Sequence, residues 1–504
     1  MSRHFAHASA ALLCLLLATA AHAGDTPAPI PGTGDTAAPI DLAGDVSVQR
    51  CIGLALGRNF TVRTQQFNVL ESVDSVDIQQ AAFEPIFGFT AGRQVTVTPT
   101  TELALGEIPY SSFDSAALSV NDTLMTGATL TAAYQLVRSD YNPAYFFPDP
   151  AFGSTVSISV AQPLLKGAGI DYNRAAIESA KLGVHISNLN FKSTVLTIVY
   201  DVETTYYNLL YQREQYKVQL DTLRQAQQLL DENTAKRQTG ILTDLDVMNA
   251  RAGVATAQNQ LILDEQAVHN SEDQLLQLLG DREFKTAIGN IAFPDLGNPE
   301  VSFARSYKLA RDNGPDLAVA QATIDQFKLQ ALKAKRDTMP ALNVSGGVAY
   351  NSYAATAGQS VTGSWGGYNW NAGVNLSVPW GMRANRAQYR QAVDNVRTQE
   401  IAYDQADQNL VVKVRAAIRA VETSKESVQT AAEETKFAEK AYELQKAEFD
   451  AGLATSYLVL QAQNTLETAR VSELQAKVSL LLAIADLRFL EGSSLQLYRI
   501  NLPE

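Results

Sequence analysis

Residues 212 positions apart repeat one another along much of this chain, and that duplication constrains the fold more than any other feature. Asn173-Arg174-Ala175 recurs as Asn385-Arg386-Ala387, and Gly240 and Thr243 recur as Gly452 and Thr455. Val202, Glu214, Ala226, Ala235, Val247 and Ala250 meet Val414, Glu426, Ala438, Ala447, Val459 and Ala462 at the same offset. An offset held so long requires two long elements free of insertions. Upstream it changes: Pro85 aligns with Pro340, and the interval Pro85 to Pro163 is 78 residues against 39 from Pro340 to Pro379. The first copy therefore carries one extra segment of 39 residues.

Each copy reads in one order: two short helices, two strands, a very long helix, a glycine-containing turn and a return helix. Stepping 4,3,4,3 from Tyr389 to Phe449 meets apolar residues at thirteen of eighteen positions, and the same register from Ile177 to Arg237 gives eleven of eighteen. A chain that is 46% hydrophobic would give about eight by chance. A heptad-type seam sustained over eight heptads specifies paired helices about 90 Å long. A globular domain has no need of such a length; a structure crossing a periplasm has.

Ahead of each long helix the period changes to two. Trp370, Ala372, Val374, Leu376 and Val378 alternate with Asn371, Gly373, Asn375 and Ser377; Leu342, Val344, Val348 and Tyr350 alternate with Asn343, Ser345, Gly347 and Asn351. In the first copy Val156, Ile158 and Val160 alternate with serine and threonine, as do Phe87, Phe89, Val95 and Val97 with Thr90, Gln94 and Thr96. Apolar-out, polar-in alternation over about ten residues is the pattern of a transmembrane β-barrel strand. Trp365, Tyr368, Trp370 and Trp380 cluster in and beside one strand, where an aromatic girdle at the membrane interfaces belongs. Four strands cannot close a barrel, so the chain must oligomerise. The expected fold is an α+β membrane protein. In it a trimeric 12-stranded transmembrane β-barrel, four strands per chain, continues into a long periplasmic α-helical coiled-coil barrel built from two internal structural repeats.

The N-terminus fits that destination. Arg3, the apolar run Ala10 to Ala21 and Ala21-His22-Ala23 read as a signal peptide over residues 1–23. The Pro-, Gly- and Ala-rich residues 24–45 read as a disordered leader. The first repeat is assigned to residues 46–300, with strands about 86–98 and 154–163 and a helical hairpin about 170–280. The second takes residues 301–492, with strands about 340–351 and 368–379 and a hairpin about 383–490, and residues 493–504 form a tail. Beyond the signal only Cys51 remains, a small apolar residue for a buried helix face, so no intramolecular disulfide is expected. His185 and His269 fall on separate helices, and no metal, nucleophile or nucleotide motif occurs, so neither an enzyme nor a cofactor is expected. A formal net charge of −13 argues against nucleic acid.

The duplicated helix-strand-strand-helix-helix plan resembles the TolC-like outer-membrane efflux protein family over roughly residues 46–492. Val46 to Asn59 is similar to the family's entry helix, and Gln162 to Gly167 and Val378 to Gly381 to its strand-to-helix junctions. Thr239 to Asp244 and Ala451 to Thr455 are similar to its hairpin tips. The resemblance implies a homotrimer in outer-membrane lipid, joined through a periplasmic adaptor (membrane fusion protein) to an inner-membrane transporter. The duct would be passive, carrying small toxic molecules or, as in type I secretion, polypeptides. Adaptor docking would use Gly240, Ile241, Thr243, Gly452, Leu453 and Thr455, with the glycines turning the chain and the threonines capping the return helices.

The family's gate aspartates, six and nine residues after the second tip glycine, are here Leu458 and Gln461. Asp244 and Asp246 at the first tip are the remaining gate candidates, with plain helix capping as the competing reading. The competing function is a periplasmic coiled-coil adaptor or scaffold, which needs one hairpin and a soluble β-domain. In the extra segment, Asp114 to Leu124 and Ala128 to Leu136 around Thr126-Gly127 read as a further hairpin, expected to extend above the barrel without joining it.

Overall fold

The computed structural model describes residues 42, 44–97, 110–142, 150–284, 286–294, 301–363 and 365–502. The expected signal peptide and nearly all of the leader lie outside these residues. From Leu42, which is buried, the chain is packed: the Gly289 amide donates to the Leu42 carbonyl, and Asp45 bridges to Asn290.

Two helices come first among the described residues, α1 (Val48–Arg58) and α2 (Phe60–Gln80). Asn59 ends one and starts the other; its Oδ1 accepts from the Thr61 and Val62 amides while its Nδ2 donates to the Leu278 carbonyl. Cys51 lies wholly buried on α1, and burial pushes its thiol up to about 11, which keeps it inert. Four strands follow, β1 (Ile86–Val97), β2 (Tyr110–Thr123), β3 (Thr129–Asn142) and β4 (Ala151–Pro163). The long helix α3 (Ile170–Gln238) returns as α4 (Asp244–Leu278).

The chain continues with α5 (Phe303–Asn313), α6 (Pro315–Asp337), β5 (Ala341–Ala354), a short α7 (Ala357–Thr362) and β6 (Gly367–Ser377). It closes with α8 (Arg383–Asp450), α9 (Ser456–Glu491) and the single turn α10 (Ser494–Leu497). Pro315 at the first position of α6 needs no helical donor there, so the helix begins at it. At 69 and 68 residues, α3 and α8 are each about 100 Å long.

The strands form one antiparallel sheet in the order β1-β2-β3-β4-β5-β6. Six strands among the described residues, not four, is the principal departure from the sequence reading. The extra hairpin, expected above the sheet, lies in its wall: β2 pairs with β1 from Ile86↔Asn121 to Val97↔Tyr110, and β3 pairs with β4 from Thr129↔Ala161 to Ser139↔Ala151. Length accounts for the fit: strands of 14 residues match neighbours of 12 and 13, so the hairpin's backbone groups find partners in β1 and β4 along most of their length. Adding strands in pairs also preserves direction, so β4 still ends on the side from which α3 departs.

The turn between β2 and β3 is fastened to that side. Gly127 has φ +88°, and a Cβ there would lie 2.3 Å from the Gly167 carbonyl oxygen, so only glycine fits. The Thr126 carbonyl accepts from the Gly169 amide and from Gln162 Nε2, both at 3.2 Å.

The main core is a collar where α1, α3, α4 and α9 meet the C-terminal segment, around Ile52, Val199, Leu209, Leu210, Leu275 and Leu481. Tyr206 donates its hydroxyl to the Val46 carbonyl, and Tyr498 of the tail donates to the buried Glu203 carboxylate.

Candidate functional site

The two helical hairpins end in tips of the same construction. Gly240 (φ +77°) and Gly452 (φ +76°) each follow a long helix in the left-handed conformation. The Ile241 amide reaches back to the Lys236 carbonyl and Gly240 to Arg237; Leu453 reaches Glu448 and Gly452 reaches Phe449. Both are Schellman closures, in which glycine relieves the Cβ clash while the last carbonyls are satisfied. Beyond each glycine an apolar group stands in the open: Ile241, Leu245 and Met248 on one tip, Leu453, Tyr457 and Leu458 on the other.

The tips differ in their caps. At the first, Thr243 Oγ1 accepts from the Asp246 amide at 3.3 Å while Asp246 Oδ2 accepts from the Thr243 amide at 3.0 Å, a reciprocal capping box. Asp244 pairs with Arg237 at 2.6 Å. Both acids proposed for a gate therefore carry structural bonds. At the second tip Thr455 occupies the cap position, but its side chain makes no capping bond. Leu458 stands where a capping acid would be, and Gln461 lies exposed on α9.

Contacts that sequence reasoning missed join the tips. Asn233 Nδ2 donates to Ser456 Oγ at 2.6 Å and to the Asp246 carbonyl at 3.2 Å. Lys236 Nζ sits 3.7 Å over the Phe449 ring and reaches Asp450 at 3.4 Å. Polar residues at seam positions were the available signal, since Asn233 and Gln219 both fall on the 4,3 register. Above the tips, Gln219 donates to the Ala257 carbonyl and Gln463 to the Thr222 carbonyl, beside a polar cavity of about 670 Å³ between α3, α4 and α9.

The sheet has two unlike faces. One carries Phe89, Leu118, Tyr134, Val156, Tyr350 and Tyr368 in register. The other carries Thr90, Ser119, Gln135, Ser157, Asn351 and Asn371, and no Asp, Glu, Lys or Arg lies anywhere on it. Of the expected girdle, Tyr368 and Trp370 lie exposed near the start of β6, and Trp380 is fully exposed just past its end. Ten residues of extended chain span about 33 Å, so these rings mark two levels. Trp365 is half-buried, with Nε1 donating to the Val361 carbonyl.

A sheet with an apolar outer face and a charge-free polar face, continuous with 100 Å helical hairpins, defines an outer-membrane channel with a periplasmic duct. A sequence profile described as Outer membrane efflux protein matches residues 146–281 and 306–493, and the chain belongs to that family. The pyoverdine export outer membrane protein OpmQ of Pseudomonas putida is 28% identical over 321 residues, which cover 62% of this chain and 66% of that protein. Outer membrane protein TolC of Vibrio cholerae is 21% identical over 389 residues, 74% of this chain and 83% of its own.

Among solved structures, the CmeC outer membrane channel of Campylobacter jejuni superposes with a TM-score of 0.69 at 17% identity, covering 89% of this chain and 86% of that one. The outer-membrane channel OprN gives 0.68 at 15%, covering 88% and 89%. The protein is thus an outer-membrane channel of a tripartite export system, in a Gram-negative cell, with its long helices in the periplasm. The family match begins at residue 146, past β3, so the inserted hairpin lies outside it.

Proposed function

We propose that three copies close into one duct of eighteen strands, not twelve, above a tunnel of twelve helices. The observation that carries this reading is the pair of unpaired edges, β1 and β6, on a sheet too small to close alone. Since β1 runs away from the periplasm and β6 toward it, the β6 edge of one copy meets the β1 edge of the next in antiparallel sense. Each copy contributes α3, α4, α8 and α9 to the tunnel below.

The duct is passive. Nothing on the sheet's inner face selects by charge, which suits small polar exports of either sign; pyoverdine, which the OpmQ relative is named for exporting, is one candidate cargo. The exposed apolar tips dock a periplasmic adaptor, and an inner-membrane transporter supplies the energy. Glycine, with an exposed apolar residue beside it (Ile241 or Leu453), suits a tip that meets another helical tip end to end. The rings of Tyr368, Trp370 and Trp380 lie at the two membrane interfaces.

Detergent extraction of outer membranes, followed by mass measurement of the purified species, tests the assembly. A detergent-soluble species of three chains is expected; a monomer free in the periplasm would overturn the reading. Deleting the gene should raise susceptibility to exported compounds, and co-purification would identify the adaptor and pump.

A further inference from the structure

The apolar face of the sheet bears a charged rung where the inserted hairpin meets β1. Arg93, Asp114 and Arg138 are directly opposite one another across β1, β2 and β3. Arg93 Nε lies 3.4 Å from Asp114, Arg138 lies 3.2 Å from Asp114, and its other nitrogen lies 3.2 Å from Asp140. Cross-strand ion pairs on a wet surface fix register and contribute little else. This rung is not on a wet face. It shares its face with Phe89, Leu118, Tyr134 and Val156, which form an apolar rung four residues nearer the periplasm on every strand. The intervening four residues correspond to about 13 Å along the strands.

That lower rung, with Phe87 and Ile158 beneath it, lines an open concavity of about 610 Å³ on the lipid-facing side of the wall. The volume is within the range that holds a small-molecule ligand, yet its lining is almost wholly apolar, which suits a hydrocarbon chain. Orientation is fixed by connectivity: α2 leads into β1 and β4 leads out into α3, so the charged rung stands toward the extracellular ends, at the outer leaflet.

We propose that this face is a binding site for the phosphorylated glycolipid of the outer leaflet. One acyl chain lies in the concavity, and the headgroup lies on the Arg93–Asp114–Arg138–Asp140 ladder. Guanidinium groups pair bidentately with phosphate, and the interleaved carboxylates accept the sugar hydroxyls that a simple phospholipid lacks. Arg93 is well exposed and Arg138 one-third exposed, so both can turn to a headgroup without abandoning a buried partner. Two of the three strands that carry the charges, β2 and β3, belong to the inserted hairpin, so the insertion builds the site.

The test uses the full-length channel, purified in detergent and stripped of lipid. Lipopolysaccharide and, separately, phosphatidylglycerol are added, and retained lipid is counted by native mass spectrometry. Wild type should retain lipopolysaccharide at least ten times more strongly than phosphatidylglycerol. The pair R93Q/R138Q should lower that retention tenfold or more. Ala132→Phe, which fills the concavity between Val120 and Ile158 and leaves every charge in place, should lower it comparably. Equal retention of the two lipids, or unchanged retention in Ala132→Phe, overturns the proposal. The second variant decides the matter even if the arginine pair proves necessary for folding.

Discussion

The collar and the distal seam are built from the same helices, α3, α4 and α9, yet they are different materials. In the collar Val199, Leu209, Leu210 and Leu275 are fully buried against α1 and the tail. Toward the tips the same helices meet through Gln219, Asn233 and Gln463 beside a polar cavity, and the apolar packing shrinks to two clusters of three buried residues, Leu229, Phe449 and Val459, and Ala438, Leu466 and Ala469. Apolar packing has no directional alternative and holds one arrangement. Amide-to-carbonyl bonds exchange readily for water at about 1 kcal/mol net each. The collar is thus a fixed ring, and the seam is the place where hairpins can shift. Amide hydrogen exchange should therefore be slow in α3 near Leu209 and faster near Gln219; equal protection would erase the distinction.

Substitutions sharpen it. Leu209→Ala should cost about 2–5 kcal/mol, the usual loss for a filled core position, and reduce assembled channel in the membrane. Next comes Gly240→Val with Gly452→Val. Each puts a β-branched side chain into the left-handed region at about 1–2 kcal/mol or more. The assembled channel should remain while export is lost, as drug-susceptibility assays would register; normal export would place docking elsewhere.

Asn233→Ala removes the bond to Ser456 at about 1 kcal/mol or less, partly because it also removes the Asn233 Oδ1 atom that is buried without a partner. Stability should barely change, whereas channel openings in planar bilayers should become more frequent. Unchanged gating would mean that the seam does not hold the tips together.

The smallest expected effect is on pH dependence, and it separates the same two regions. Burial raises the Glu203 carboxyl in the collar, against the opposing hydrogen bond from Tyr498 and the charge of Arg488. Burial also raises Asp264 at the seam, against Gln260 and Gln215. A raised acid in the folded state binds its proton more tightly than in the unfolded chain. Stability is therefore greatest below the ordinary carboxylate value of about 4.3 and declines as pH rises toward the folded value. Glu203→Gln should flatten that decline for the collar, and Asp264→Asn should do so for the seam alone. Denaturation curves between pH 4 and pH 8 distinguish them.

Much of the helical part was legible in the sequence, because a seam of period 3.5 is a local pattern repeated many times. The hairpins read at about 170–280 and 383–490 correspond to α3 with α4, Ile170–Gln238 and Asp244–Leu278, and to α8 with α9, Arg383–Asp450 and Ser456–Glu491. The tip glycines were legible for the same reason, as only one residue type suits their conformation. Strand pairing was not. Alternation marked Asp114 to Leu124 and Ala128 to Leu136 as strands, but whether they joined the wall depended on partners in β1 and β4, which no local pattern names. The carboxylate of Asp246 was ambiguous in a similar way: six residues past Gly240 it suited a gate, and in the first turn of a helix it suited capping; in the structure it takes part in a capping box.

The two bare edges have a consequence for the chain's journey as well as its destination. Until a neighbour arrives, β1 and β6, of twelve and eleven residues, each leave about half of their backbone donors and acceptors unpaired, on a sheet whose one face is greasy. The helices can fold in water; the sheet cannot end there. Such an edge templates any strand it meets, including another copy in the wrong register. The passage between secretion and insertion is accordingly the stage at which this chain is most exposed to aggregation.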